Sequence, residues 1–394
     1  MTTELERLLS VQHHGSLLLF CARGVGKSTL LRSQLQSAAF ASINLLSDAE
    51  FYSLSQRPES LRDRLSKAPA GSLVIIDEVQ RIPALLNIVH LMIEEHGLKF
   101  ILTGSSSRKL RRGNANLLAG RADLYELFPL THTELADAFN LSSALNWGTL
   151  PSLITRTTDQ AKIDYLQSYV DTYLKEEIVA EQLVRNLPPF RRFLDVAAQM
   201  NGKIINFSAI AREIGTTSDT VKQYFSILEE THIGYCLPAY HSSVRKQIIQ
   251  APKFYFFDCG VPRAILRTNE GSLREGTSAY GDAFEHFIFL ELLRLSSYKR
   301  NRAKFFYLKT KDDAEIDIII DLPNKPLTLV EVKSSQNIHP EDLSGFAKLG
   351  SDFPNAAMFC LCRDPVEKEI RGVRVMPWQQ GLELILRRER GEVS

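Results

Sequence analysis

Cysteine is scarce: the 394 residues include five, at positions 21, 236, 259, 360 and 362, too few and too scattered for a disulfide framework. Cys360 and Cys362 alternate within the apolar run FCLC and read as same-face strand residues rather than metal ligands. An excess of one charge is also lacking. The chain has 47 Lys and Arg against 46 Asp and Glu, a formal net charge of +1. That balance excludes a globally basic nucleic-acid coat but leaves room for a local basic patch. No apolar run approaches the ~18 residues that a membrane helix needs. The opening MTTELERLLS carries two Glu and lacks the apolar centre of a signal peptide. Internal repeats and low-complexity tracts are missing too. A cytoplasmic protein without membrane contact is therefore expected. What is present is ordinary: 44% hydrophobic and 24% charged residues exclude a mainly disordered chain and supply several cores. At ~150 residues per domain, the length predicts two or three domains.

The first third alternates short apolar runs with helical patterns. Residues 16–21, 42–46, 72–77 and 99–103 read as buried strands, with 122–128 as a fifth. Near-continuous apolar strands separated by helix-length segments predict a parallel sheet covered on both faces. Residues 160–184 read as helices, and 201–235 as a helix-turn-helix pattern. Strand-like runs return from 253 onward, as KFYFF, AKFFYL, EIDIIID, LTLVEV and AAMFCLC, with a helix expected over 281–296. Boundaries near 140 and 245 follow, giving segments 1–140, 141–245 and 246–394.

The strongest motif is SLLLFCARGVGKSTLL, residues 16–31. A strand ends, a glycine-bearing loop follows, and Lys27 and Ser28 open a helix. Main-chain amides of Gly24, Val25, Gly26 and Lys27, flanked by Arg23 and Thr29, are then placed to face phosphate oxygens at a helix N-terminus. Lys27 is expected to neutralise the β- and γ-phosphates of ATP, and the Ser28 hydroxyl to hold magnesium. Cys21 stands where a first glycine is usual in this loop, a place that closes the strand rather than touching phosphate. The run LVIIDEVQR ends a buried strand on Asp77 and Glu78. Two carboxylates there call for a neutralising cation. Asp77 suits a magnesium site and Glu78 the polarisation of attacking water. The strand of KFILTGSSSRKLRR ends in Thr103, Gly104 and Ser105, which could set a polar group beside the γ-phosphate. Arg108, Lys109, Arg111, Arg112 and Arg121 follow within residues 104–123, opposed by Asp123 alone. One of them could reach a neighbouring subunit's nucleotide, with Arg121, after Gly120, the first choice; for any single Arg a solvated basic loop is the favoured reading.

IDEVQRIP, LTGSSSRKL, LAGRADLYELFPLTHTEL and KFYFFDCGV together resemble a family of prokaryotic AAA+ ATPases that carry a C-terminal domain of unknown function. The resemblance runs from about residue 13 to about residue 350. It implies an α/β protein: a parallel-sheet P-loop AAA+ domain, a helical and winged-helix middle module, and a restriction-endonuclease-like C-terminal α/β domain. It also implies a role for Ser105 in sensing nucleotide, and a homo-oligomer that supplies an arginine in trans.

Residues 205–233 have helix-turn-helix character, with Ile205, Phe207, Ile210, Ala211 and Ile214 on one apolar face and Val221, Tyr224, Phe225 and Leu228 on the other. Lys222 and Gln223 face outward, so duplex DNA binding and simple packing both remain open. In the last third, Asp317 lies in a strand. Fourteen residues on, VEVK places Glu331 and Lys333 two apart, on one strand face. With Glu285 from the preceding helix, Asp317 and Glu331 could bind magnesium while Lys333 orients a water for phosphodiester cleavage. A same-face Glu331–Lys333 ion pair on an edge strand is the competing reading. Asp258 is expected to end a strand, and His286 to lie on a helix surface. The sequence thus points to an ATPase acting on a macromolecule, with DNA foremost; an ATP-regulated nuclease and a nucleotide-switched adaptor are the alternatives.

Overall fold

The computed structural model describes residues 5–11, 15–35, 38–105, 118, 120–174, 187–241 and 250–387. The chain divides into two compact units, Met1–Leu130 with Ile227–Ile233, and Thr131–Ser226 with Gly234–Ser394. Residue 140 therefore falls inside the second unit. The boundary expected near 245 lies outside the described residues.

The first unit is built on β1 (Ser16–Phe20), β2 (Ala39–Asn44), β3 (Leu73–Asp77), β4 (Lys99–Gly104) and β5 (Ala122–Glu126), in the order β2-β3-β4-β1-β5. All neighbouring pairs run parallel. The central strands are continuous apolar runs because both faces are covered. Ile76, Phe100 and Leu102 pack with Leu85, Val89 and Met92 of the helix Leu85–His96. Helix α1 (Lys27–Leu35) leaves β1. The run expected at 42–46 is displaced: β2 is an edge strand, half exposed and only weakly apolar, and Leu45 is buried in the turn beyond it. Likewise Leu127 and Phe128 are buried just after β5 has ended.

Phe207–Ile214 and Ser218–Glu230 form the expected helix pair, the first within the second unit and the last residues of the other, from Ile227, counted with the first unit. Asn206 caps the first by accepting from the amide of Ala209 (3.0 Å), and Gly215, at φ 73°, stops it. Ile210, Ile214, Val221, Tyr224 and Phe225 are buried, as their 3.6-residue spacing predicts. The antiparallel pair β6 (Gly234–Leu237) and β7 (Lys253–Phe256) follows. A helix Asp159–Ser168 continues into a π-helical turn, Tyr169–Leu174; the remainder of the helical stretch expected to 184 lies outside the described residues.

A six-stranded sheet completes this unit, in the order β12-β13-β11-β10-β9-β8. Its strands are β8 (Lys304–Lys309), β9 (Glu315–Asp321), β10 (Thr328–Lys333), β11 (Ala357–Cys362), β12 (Lys368–Ile370) and β13 (Val373–Pro377). Ile318, Ile320, Val330 and Val332 pack with Phe284, Phe287 and Ile288 of the long helix Ser278–Lys299. Ile319, Leu329, Cys360 and Cys362 meet Leu343, Phe346 and Leu349 in a separate core. The two cysteines thus share a buried strand face, as their alternation indicated. Strands β12 and β13 and the helix Trp378–Ile385 lack a signal that sequence reading caught, because short strands with one charged face carry little apolar periodicity.

Candidate functional site

Because β1, β3 and β4 are parallel and side by side, their carboxyl ends open on one edge, where an α/β sheet places its ligands. Phe20 of β1 lies opposite Gly104 of β4, and Ile76 of β3 opposite Leu102. Register alone therefore brings the loop after Phe20, the pair Asp77–Glu78 and the segment Thr103–Ser105 together. The chain leaving β1 is pinned by the Cys21 amide, which donates to the Gly104 carbonyl (3.3 Å). Cys21 is 3% exposed, and burial pushes its thiol up to about 12, so it acts as a small inert side chain in the glycine's usual place.

Gly24 and Gly26 have φ of 80° and 95°, the left-handed region that lets consecutive amides turn toward one point. Val25 is wholly buried, and its carbonyl accepts from Arg7 (2.7 Å), whose second nitrogen donates to the Phe128 carbonyl (2.6 Å). Arg7 thereby ties down the back of the loop, a role that no sequence motif signalled. Arg23, Ser28 and Thr29 are exposed on the open side, Ser28 and Thr29 in the first turn of α1.

Lys27 is the cation that the strand-end carboxylates require. Its Nζ lies 2.8 Å from Asp77 Oδ1 and also pairs with Glu78 Oε1. Burial works against this charge, but the carboxylates of Glu78 and Asp77 outweigh it and hold the ammonium above the usual lysine range. Thr103 Oγ1 donates to Asp77 Oδ1. Glu78 sits at φ 61°, a left-handed turn that costs a non-glycine residue about 1–3 kcal/mol and points to a functional position. Its second oxygen accepts from Gln80 Nε2 (2.6 Å), and Gln80 also donates to Ser105 Oγ (3.1 Å). Sequence reading overlooked Gln80, although it lies within LVIIDEVQR. Arg121 stands apart from this group: its Nε pairs with Glu94 of the helix Leu85–His96, both partly exposed. Arg108, Lys109, Arg111 and Arg112 lie outside the described residues.

A buried ammonium between two carboxylates, a loop with two left-handed glycines ahead of a helix N-terminus, and an exposed serine hydroxyl together suit a magnesium-bound triphosphate. The geometry fits the donors and acceptors that such a ligand presents.

The acidic group of the second unit is held differently. Glu331 pairs with Lys333 Nζ at 2.6 Å, so the same-face ion pair forms, but on an interior strand and not an edge, since β10 pairs with both β9 and β11. Extending the β9–β10 register from Ile318 and Val330 by one residue sets Asp317 opposite Glu331. Asp317 Oδ2 accepts from the Val332 amide (2.8 Å). Burial, then the neighbouring Glu331 and Glu285, raise Asp317 well above the carboxylate range; burial raises Glu331 as well. Glu285 does not join them as a third ligand. It accepts from Lys253 (3.1 Å) and Tyr255 (2.6 Å), while Lys253 also lies 2.6 Å from Glu315. Among the described residues no three His, Cys, Asp or Glu side chains form a group that could hold a metal ion. Lys253, 4% exposed, is a fixed internal cation whose position breaks up the expected three-carboxylate set.

His286 is not on a surface. It is 1% exposed, with Nε2 against the Phe256 carbonyl (2.6 Å), because its helix is buried on nearly all sides. Asp258 lies in the bend two residues beyond β7, ahead of the helix Gly260–Ile265: wholly buried, it accepts from the amides of Thr149 (2.7 Å) and Gly260 (3.0 Å).

Residues 13–136 match a family described as an AAA domain. Residues 139–272 and 280–380 match two domains of unknown function, DUF8612 and DUF4143. An uncharacterized protein of Mycobacterium tuberculosis is 24% identical over 325 residues, covering 81% of this chain and 71% of its own. One of Haemophilus influenzae is 23% identical over 352 residues, covering 81% of this chain and 83% of its own. Among solved structures, the Aeropyrum pernix ORC2 protein in its ADPNP-ADP complexes is 12% identical, covers 66% of this chain and 89% of that chain, and has a TM-score of 0.36. The N-terminal match supports an AAA-type, nucleotide-binding P-loop domain ahead of a DUF4143 domain. Among the described residues no helix is long and apolar enough to cross a membrane.

Proposed function

We propose, from the AAA-domain match and the site geometry, that this chain hydrolyses ATP with magnesium and uses the reaction to act on a macromolecule, DNA foremost. The observation that carries the reading is Lys27, an ammonium held by Asp77 and Glu78 at the mouth of an amide-lined loop. Without nucleotide the two carboxylates satisfy the lysine. A triphosphate is a stronger partner for it, so binding draws Lys27 away and exposes Glu78 Oε1 to water. Ser28 and Asp77 would hold the magnesium, which supplies charge neutralisation on the phosphate oxygens. Glu78 accepts the proton of the attacking water.

Further parts belong to the same reading. The chain works as a homo-oligomer in which Arg121, now paired with Glu94, turns to a neighbour's nucleotide. It is organised as segments 1–140, 141–245 and 246–394, the last a restriction-endonuclease-like fold, and it acts in the cytoplasm. The winged helix-turn-helix, with Lys222, Gln223 and Arg212 exposed, is the proposed DNA contact. A second reading, a metal-dependent phosphodiesterase in the C-terminal segment, is favoured by one observation: Glu331 Oε2 is buried without a hydrogen-bond partner, and Glu331 acts on the neighbouring Asp317.

The test of the main reading is Lys27→Ala. It removes the charge facing the phosphates, so binding of a fluorescent ATP analogue is expected to fall at least about tenfold. Wild-type phosphate release is expected to rise on adding duplex DNA, and that stimulation to fade steeply with salt. Undiminished nucleotide affinity in Lys27→Ala refutes the reading.

A further inference from the structure

We infer that Gln80 is the positioning residue of hydrolysis: its amide fixes one oxygen of Glu78 and leaves the other for water. The inference rests on the reading of Glu78 as the base, and it assigns a role to a residue that the motif does not.

Gln80 lies in a short 3₁₀ turn, Val79–Arg81, and is 3% exposed. Its Nε2 donates to Glu78 Oε2 (2.6 Å) and to Ser105 Oγ (3.1 Å), and Ser105 Oγ reaches the same Glu78 oxygen at 3.4 Å. The left-handed turn at Glu78 folds side chains two residues apart onto each other. Strand β4 makes room for the amide. A Cβ on Gly104 would stand 2.3 Å from Gln80 Oε1 and 3.1 Å from its Cδ, so any larger residue there would push the amide from this position. Gln80 Oε1 is itself buried without a hydrogen-bond partner. A buried unpaired oxygen is costly, and an apolar side chain of equal size would avoid that cost. The glutamine is intelligible if its NH₂ is what the site requires.

The two oxygens of Glu78 then have separate tasks. Oε2 is anchored by Gln80 and Ser105 whether or not nucleotide is bound. Oε1 is held by Lys27 until a triphosphate draws the ammonium away. In the reaction, the water oxygen forms a bond to the γ-phosphorus, and the bond to the β–γ bridging oxygen breaks with its electron pair leaving on ADP. The proton of water passes to Glu78 Oε1. A base whose second oxygen is fixed presents that lone pair in one direction, which is where positioning gains its leverage.

The test is Gln80→Met, which keeps volume and removes the donor, with Gly104→Ala as a second route that displaces the amide without altering it. Both are assayed for analogue affinity, kcat and KM for ATP, and thermal midpoint. Gln80→Met is expected to bind nucleotide within about threefold of wild type and to lose about 10–100-fold in kcat, the worth of a hydrogen bond to a charged group. Gly104→Ala is expected to reproduce both effects, and it decides the matter should Gln80→Met not fold. Neither change is expected to add a further loss to Glu78→Gln. Wild-type kcat in Gln80→Met, a loss confined to KM, or full additivity with Glu78→Gln each overturns the inference. Glu78→Gln separates the two levels: if it turns over ATP normally the base reading falls, whereas an inactive Glu78→Gln beside a fully active Gln80→Met overturns Gln80 alone.

Discussion

Glu78→Gln is the sharpest perturbation of the proposed chemistry, because it changes proton affinity while preserving shape. The side chain is 11% exposed and enclosed by Lys27 on one oxygen and Gln80 on the other. A glutamine there keeps its carbonyl as an acceptor and the left-handed backbone as it is, so folding and loop geometry are expected to persist. What it cannot do is take the proton of the attacking water. General-base catalysis contributes about 10²–10⁴-fold, or roughly 3–5 kcal/mol of barrier at about 1.36 kcal/mol per tenfold. Phosphate release at saturating magnesium and ATP is expected to fall by that factor. Affinity for the nucleotide is expected to hold or improve, since Lys27 has one carboxylate fewer competing for it. The assay pairs single-turnover phosphate release with analogue binding on the same preparation. A Glu78→Gln protein whose kcat stays within about threefold of wild type would refute the reasoning.

Three further outcomes follow from particular contacts. Gly148→Ala, at φ 81°, would place a Cβ 1.7 Å from Asp258 Oδ1; by displacing a wholly buried carboxylate from its two amide donors it is expected to cost about 3–5 kcal/mol, read as a lowered denaturant midpoint. His286 is depressed by burial to about 4, so the unfolded chain takes up its proton first; stability is expected to be full above about 6.5 and to drop by roughly 3 kcal/mol as pH falls toward 4, a slope that His286→Gln should remove. On the second reading, Asp317→Ala is expected to abolish any manganese-dependent nicking of plasmid by the wild-type chain; equal nicking by both proteins removes that reading.

The first unit was legible from one dimension because its determinants are local. Buried parallel strands are written as continuous apolar runs, and the loop before Lys27 needs glycines at set positions whatever surrounds it. Asp77 and Glu78 advertise themselves because acidic residues ending an apolar strand demand a cation nearby. The helix pair 207–230 was equally readable from its apolar spacing and Gly215. Edge strands were less so: β2 is half exposed, and β12 and β13 mix charge with apolar residues, so period and composition fade there.

Tertiary structure alone decided which groups meet. Gln80 reaches Glu78 only because of a left-handed backbone turn, and it has space only because β4 lies beside β3 with a glycine in register. Arg7 grips the loop carbonyl from more than a dozen residues away. Lys253 enters the acidic group by way of a strand distant in sequence, dividing carboxylates that spacing had suggested would converge. His286 is buried because its helix is covered on nearly every side, which helical periodicity cannot report when all faces are apolar. Local pattern specifies the elements and the phosphate-facing loop; long-range register chooses the partners of each charge, and those partners set what the charge can do.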